Sequence, residues 1–126
     1  MGLVNGKLLL KNPRLPDLAP VEVVALADSG ALHLCIPDQV QIQLRLEAID
    51  EKEVTLATDR KSWFRTSVRL NLRFKNRVGF AGALVMGDQV LLGAIPLEDM
   101  DLVIIPKTRT LDVNPESPNI ASSIVK

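Results

Sequence analysis

The sequence predicts an all-β fold, a small barrel or sandwich of short strands with one or two short helices. Three observations lead there. Hydrophobic residues make up 47% of the 126, yet aromatics are limited to one Trp and three Phe, with no Tyr, so the core is built from Val, Leu, Ile and Ala; that usage favours strands. Turn signals interrupt the apolar runs about every ten residues, the spacing of an all-β domain. Val68, Leu70, Leu72 and Phe74 alternate with Ser67, Arg69, Asn71, Arg73 and Lys75, which gives a strand with one buried and one basic face.

The elements follow in order. Val4 to Lys11 reads as a first strand, and Asn12-Pro13 through Pro20 as a proline-broken loop. Val21 to Ala27 is an apolar run of strand length that ends in the turn Asp28-Ser29-Gly30, and Leu32 to Ile36 is a second run, stopped by Pro37. Asp38 to Leu46 fits two patterns. Val40, Ile42, Leu44 and Leu46 alternate as in a strand, while Pro37-Asp38 reads as a helix entry. Val54 to Ala57 and Trp63 to Phe74 flank a polar tip at Thr58-Asp59-Arg60-Lys61, a hairpin. Lys75-Asn76-Arg77 turns into Val78 to Met86, and Gly87-Asp88 turns into Val90 to Gly93. Pro96 to Met100 holds about one helical turn, with Pro early and acids following. Leu102 to Ile105 and Thr110 to Val113 form a last hairpin about Pro106-Lys107-Thr108-Arg109. Residues 1–113 are read as one domain and 114–126, with two prolines and small polar residues, as a C-terminal tail.

Composition narrows the function classes. Fifteen basic and fifteen acidic residues cancel, which removes any general attraction to nucleic acid. A single cysteine, Cys35, forms no intrachain disulfide, and with the lone His33 it supplies too few soft ligands for a zinc cluster. No metal and no cofactor are expected. The opening MGLVNGKLLLKNPRLP has no basic region followed by a long apolar one, and no run reaches membrane-span length. The expectation is a soluble cytoplasmic domain, with no membrane and no nucleic-acid partner.

One stretch asks for a chemical explanation. In LADSGALHLCIP a carboxylate, Asp28, stands at the end of an apolar strand in the most hydrophobic part of the chain. A carboxylate there is costly unless it is hydrogen-bonded or functional. Gly30 lets backbone N–H groups come close to it. Asp-Ser-Gly is also a common plain turn, so the tetrad Asp28-Ser29-Gly30-Ala31 alone leaves both readings open. A second element adds to it. Leu91-Leu92-Gly93, two apolar residues and a glycine, ends 65 positions beyond Asp28 and is followed by the short helix, with the Val54 to Val68 hairpin between them.

On these segments, in this order over nearly the whole chain, the sequence resembles the retropepsin-like aspartic proteases of clan AA, and more narrowly their small bacterial single-domain members. The resemblance implies a small closed retropepsin-like (acid protease) β-barrel, active as a homodimer on a peptide or protein substrate. Such enzymes hydrolyse a peptide bond with two carboxylates that share one proton. Like charges that close do not both ionise, so one carboxyl donates to the scissile carbonyl while the other takes a proton from the attacking water. Only one Asp-Ser-Gly occurs here, at Asp28. A dyad therefore needs two chains about a two-fold axis.

The resemblance implies Asp28 as the catalytic residue. It implies Ser29, Gly30 and Ala31 as the active-site loop, with Ser29 bonding across the interface. Leu91, Leu92 and Gly93 become the apolar support behind that loop. Thr58, Asp59, Arg60 and Trp63 fall on the flap, which closes over substrate. The flap tip departs from the family by having no glycine. That departure keeps a second reading, a catalytically weak or inactive retropepsin-fold binding or dimerisation module. Trp63 and Phe64 are read either as lining a substrate pocket or as core. His33 is read as an ordinary histidine, Cys35 as a small buried apolar residue, and the basic stretch Arg69 to Arg77 as a solvated sheet face.

Overall fold

The computed structural model describes residues 4–120. Eleven strands and two helices follow one another: β1 Val4–Lys11, β2 Val21–Ala27, β3 Leu34–Ile36, α1 Asp38–Gln43, β4 Ala48–Thr55, β5 Lys61–Ser67, β6 Leu70–Phe74, β7 Arg77–Ala81, β8 Ala83–Val85, β9 Val90–Leu92, α2 Ala94–Asp99, β10 Leu102–Ile105 and β11 Thr110–Val113. The all-β expectation with two short helices is met. The hydrogen-bonded path runs β10-β11-β1-β2-β9-β3-β8-β5-β4, and β6 joins it through β1 and carries β7. Among the described residues no pairing links β10 to β4, so the path has two ends.

β1 is the hub because its two edges serve three partners. One edge pairs antiparallel with β2 from Val4↔Ala27 to Leu10↔Val21. Further pairings join Asn5 to Thr110 of β11 and Leu9–Lys11 to β6. Alternation sends Leu8 and Leu10 inward, where they are fully buried with Leu70 and Leu72 of β6, Leu34 and Ile36 of β3, Leu92 and Met100. Each such side chain contributes about 1.5–3 kcal/mol on leaving water. Cys35 is buried among these strands, as expected, and burial pushes its thiol pKa up. Among the described residues no helix is long and apolar enough to cross a membrane.

Asp38 to Leu46 is helix first. Val40 and Leu44, four apart, are buried on one side of α1, while Ile42 points to water at 74% exposure. The helix ends with Arg45 in the left-handed region (φ 52). Arg45 N donates to the Ile42 carbonyl and Leu46 N to the Gln41 carbonyl, satisfying the last turn. Asn12, buried, donates its Nδ2 to the Leu44 carbonyl at 2.9 Å. The proline-broken loop is therefore pinned to the end of α1.

The reading of Arg69 to Arg77 as one solvated face needs a correction at its end. The turn is tighter than the sequence suggests, and Phe74 and Arg77 are paired opposite each other across Lys75-Asn76. That register sends Arg77 inward, where it is 1% exposed. Its Nη2 donates to the Ser117 carbonyl and lies 3.9 Å from the Asp101 carboxylate. Asp101 also accepts from Asn114 Nδ2 at 3.1 Å and from the Ser117 hydroxyl. Residues 114–117 thus lie in a polar knot with β7 and the end of α2. Residues 121–126 of the expected tail lie outside the described residues.

Candidate active site

β9 builds the site. It lies between β2 and β3, parallel to the first (Ala27↔Leu92) and antiparallel to the second (Leu34↔Leu92). The segment 28–33 that joins β2 to β3 must therefore arch over the end of β9, where Gly93 stands. Asp28 N donates to the Leu92 carbonyl at 3.0 Å, Ala94 N to Ala31 O at 2.8 Å, and Ile95 N to Leu32 O at 3.0 Å. The loop is stitched to β9 and to the start of α2.

Gly93 is required by this approach. A Cβ there would fall 2.4 Å from the His33 carbonyl oxygen and 2.7 Å from the Leu32 carbonyl carbon. Leu92 beside it is fully buried and Leu91 partly so. They form an apolar layer under the loop and carry no reactive group.

At the top of the arch Asp28, Ser29 and Gly30 are exposed. Gly30 N donates to Asp28 Oδ1 at 2.9 Å, and Ala31 N to the Asp28 carbonyl at 3.1 Å. One carboxylate oxygen is thus held by the backbone of its own turn. Ala31 is half-buried where the loop descends.

The β4–β5 hairpin is the flap candidate. β4 is exposed at every position except Val54. Its tip closes with Leu56 N to Arg60 O at 2.8 Å and Asp59 N to Leu56 O at 2.9 Å, and Thr58, Asp59 and Arg60 are all exposed. Asp59 adopts φ 64. Asp tolerates this left-handed geometry better than most residues.

The two aromatic neighbours separate. Trp63 pairs with Glu53 and Phe64 with Lys52, so they lie on opposite faces of the hairpin. Trp63 is 63% exposed and lines an open groove with Ile49, Glu51 and Arg65; it is not a core residue. Arg65 on the same face is ion-paired with Asp38 at the start of α1. Phe64, half-buried, shares its face with Lys52, and Lys52 acts electrostatically on His33 at the end of the 28–33 loop. Burial first, and the Lys52 charge second, lower the His33 pKa from its ordinary value of 6.5. The more buried face of β5 is thus the one carrying Ser62, Phe64 and Thr66. Alternation from Trp63 held that signal, but the sequence did not say which face turned inward. Among the described residues no group of three or more His, Cys, Asp or Glu is gathered for a metal ion.

No protein-family model matches the chain, and no curated protein matches it in sequence. Solved structures do match in shape. The protease of simian foamy virus (mac) aligns with TM-score 0.53 and 17% identity over 74% of this chain and 90% of its own. EIAV protease, complexed with the inhibitor HBY-793, aligns with TM-score 0.59 and 15% identity over 78% and 88%. The retroviral protease-like domain of Ddi1 from Leishmania major aligns with TM-score 0.58 and 11% identity over 91% and 90%. The fold is that of the retropepsins.

Proposed function

We propose that the chain is an aspartic endopeptidase whose active form is a homodimer, with residues 1–113 as the catalytic unit. The observation that carries this reading is the placement of Asp28. It is exposed at the top of a loop braced by Gly93, with one oxygen held by Gly30 N–H. A carboxylate presented this way on a rigid arch is half of an acid–base pair. A second copy about a two-fold axis supplies the other half. Side by side, the two carboxyls hold one proton between them. The ionised one takes a proton from the bound water, and the protonated one donates to the scissile carbonyl oxygen.

Ser29 orients the pair across the two-fold axis, Leu91 and Leu92 keep the loop from sinking, and the β4–β5 hairpin closes over substrate with its Phe64 and Lys52 face. Thr58, Asp59 and Arg60 form its leading edge. Trp63, on the outer face, stands away from the reacting atoms. No metal or cofactor takes part in this chemistry.

The test is cleavage of an unbiased peptide library across pH by the parent chain and by Asp28→Asn. Cleavage that disappears in the variant supports the reading. Cleavage that survives in it, or a folded dimeric parent that cuts nothing at any pH, overturns it in favour of a binding module.

A further inference from the structure

A cavity of about 440 Å³ opens beside the active loop where four segments meet. Its lining includes His33 at the loop's descent, Arg69 between β5 and β6, Phe80 in β7, and Ile95, Pro96 and Asp99 of α2. That volume lies in the range of about 300–1,000 Å³ that encloses small ligands. Phe80 is 60% and Ile95 47% exposed, so apolar surface at this place is left to water. Burying it under a ligand is favourable in proportion to its area.

Two charges stand at the same cavity with no partner. Among the described residues neither Arg69 nor Asp99 makes a side-chain hydrogen bond or ion pair. Asp99 Oδ2 would be 3.2 Å from a Cβ built on Gly79, the residue before Phe80. The carboxylate therefore sits against β7. A guanidinium offers a carboxylate a planar fork, and a carboxylate accepts from an ammonium. An apolar wall with one cation and one anion suits a small molecule that is apolar in the middle and carries both charges.

We infer that this cavity binds a short apolar peptide with both termini free, its carboxylate on Arg69, its ammonium on Asp99 and its side chains on Phe80 and Ile95. The products of peptide hydrolysis belong to this chemical class, and to that extent the inference rests on the function proposed above. His33 links the two places. It lines the cavity, and its backbone is what Gly93 is pressed against. A bound product acts back on the active loop through that residue.

The experiment uses the Asp28→Asn chain, so that no cleavage intervenes. The probes are Leu-Leu, N-acetyl-Leu-Leu and Leu-Leu amide, followed by calorimetry and by amide chemical shifts. The expected result is saturable binding of Leu-Leu with shifts at Phe80, Ile95 and His33, weakened about tenfold or more by either cap. In Asp99→Asn the acetyl cap loses its effect, and in Arg69→Gln the amide cap loses its effect. Both residues are exposed, so these variants keep the fold. No saturable binding, shifts confined to Asp28–Ala31 and the flap, or cap effects unchanged in the variants would each overturn the inference. Cleavage of peptides by the parent chain with no Leu-Leu binding removes the cavity reading alone. Leu-Leu binding with no cleavage removes the hydrolase reading alone.

Discussion

Replacing Gly93 by Ala should destabilise the chain through one identifiable contact. Its backbone (φ −85, ψ −174) is extended and open to any residue, so conformational preference is not the cost. The added methyl meets only backbone: His33 O at 2.4 Å, Leu32 C at 2.7 Å and His33 N at 2.8 Å. None of these can swing aside as a side chain would, and relief requires the loop and the start of α2 to part. Overpacking of that kind costs about 1–3 kcal/mol. The Ala94–Ala31 and Ile95–Leu32 hydrogen bonds are then stretched, at about 0.5–1.5 kcal/mol each. Ala recovers about 0.4–1 kcal/mol by restricting the unfolded chain. The net loss is about 1–6 kcal/mol, a fall in Tm on the order of 10 °C for a domain of this size. Gly30→Ala is the control. Its Cβ meets only Asp28 Oδ1, at 3.1 Å, the end of a side chain that can turn. Gly30→Ala should hold its Tm while moving the carboxylate and losing peptidase activity. Thermal unfolding of both variants by circular dichroism decides the matter, and a Gly93→Ala chain melting within about 3 °C of the parent would refute the close approach.

Asp28→Asn should lose at least ~10²- to 10⁴-fold in peptidase rate, because it removes both the base and the shared proton, while melting at or above the parent temperature at neutral pH. Specific activity of the parent should fall on dilution through the dimer dissociation constant, and full activity of a monomer, checked by light scattering at the assay concentration, would rule out a two-chain dyad. Since His33 has a lowered pKa in the folded chain, its contribution to stability is present above 6.5 and is lost as pH falls below that value, where the unfolded chain takes up the proton first; the drop in Tm from pH 7 to pH 5 should be smaller in His33→Gln than in the parent. Arg77→Ala should cost about 3 kcal/mol or more, the cost of removing one partner of a buried ion pair, and should open the chain after residue 113 to limited proteolysis.

Several elements were legible from local pattern alone. β1, β2 and the β10–β11 hairpin have the bounds that their apolar runs and turn residues mark. The Asp28 turn and Leu91-Leu92-Gly93 are adjacent in space, as the family resemblance implied. The β4–β5 hairpin was visible only at its tip. β4 begins at Ala48, but Ile49 to Lys52 are exposed, so no apolar alternation marks the strand. Trp63 to Phe74 reads as one strand, yet it breaks at Val68-Arg69. Val68 N turns to the Glu47 carbonyl, and the buried Ser67 hydroxyl accepts from Ala83 N. Both partners are remote in sequence, so no local pattern could show the corner. For α1, the i, i+4 pair Val40 and Leu44 outweighed the alternation once Ile42 was free to face solvent. Arg77 was hidden because one residue of turn length decides whether it faces water or the core.

The wedging of β9 between β2 and β3 also sets a timetable. Ala27 and Leu92 are paired across 65 positions of sequence, and no nearer strand fills the place that β9 takes between β2 and β3. Pairings that distant form late, because the chain must close a long loop before any contact offsets the entropy. On a growing chain Asp28 is made early, but its arch has nothing to rest on until Leu92, Gly93 and the first turn of α2 have been synthesised and have left the ribosome. The 28–33 loop is therefore unsupported during most of translation, and when it closes on β9 the still more distant pairing of Asn5 with Thr110 of β11 remains to be made.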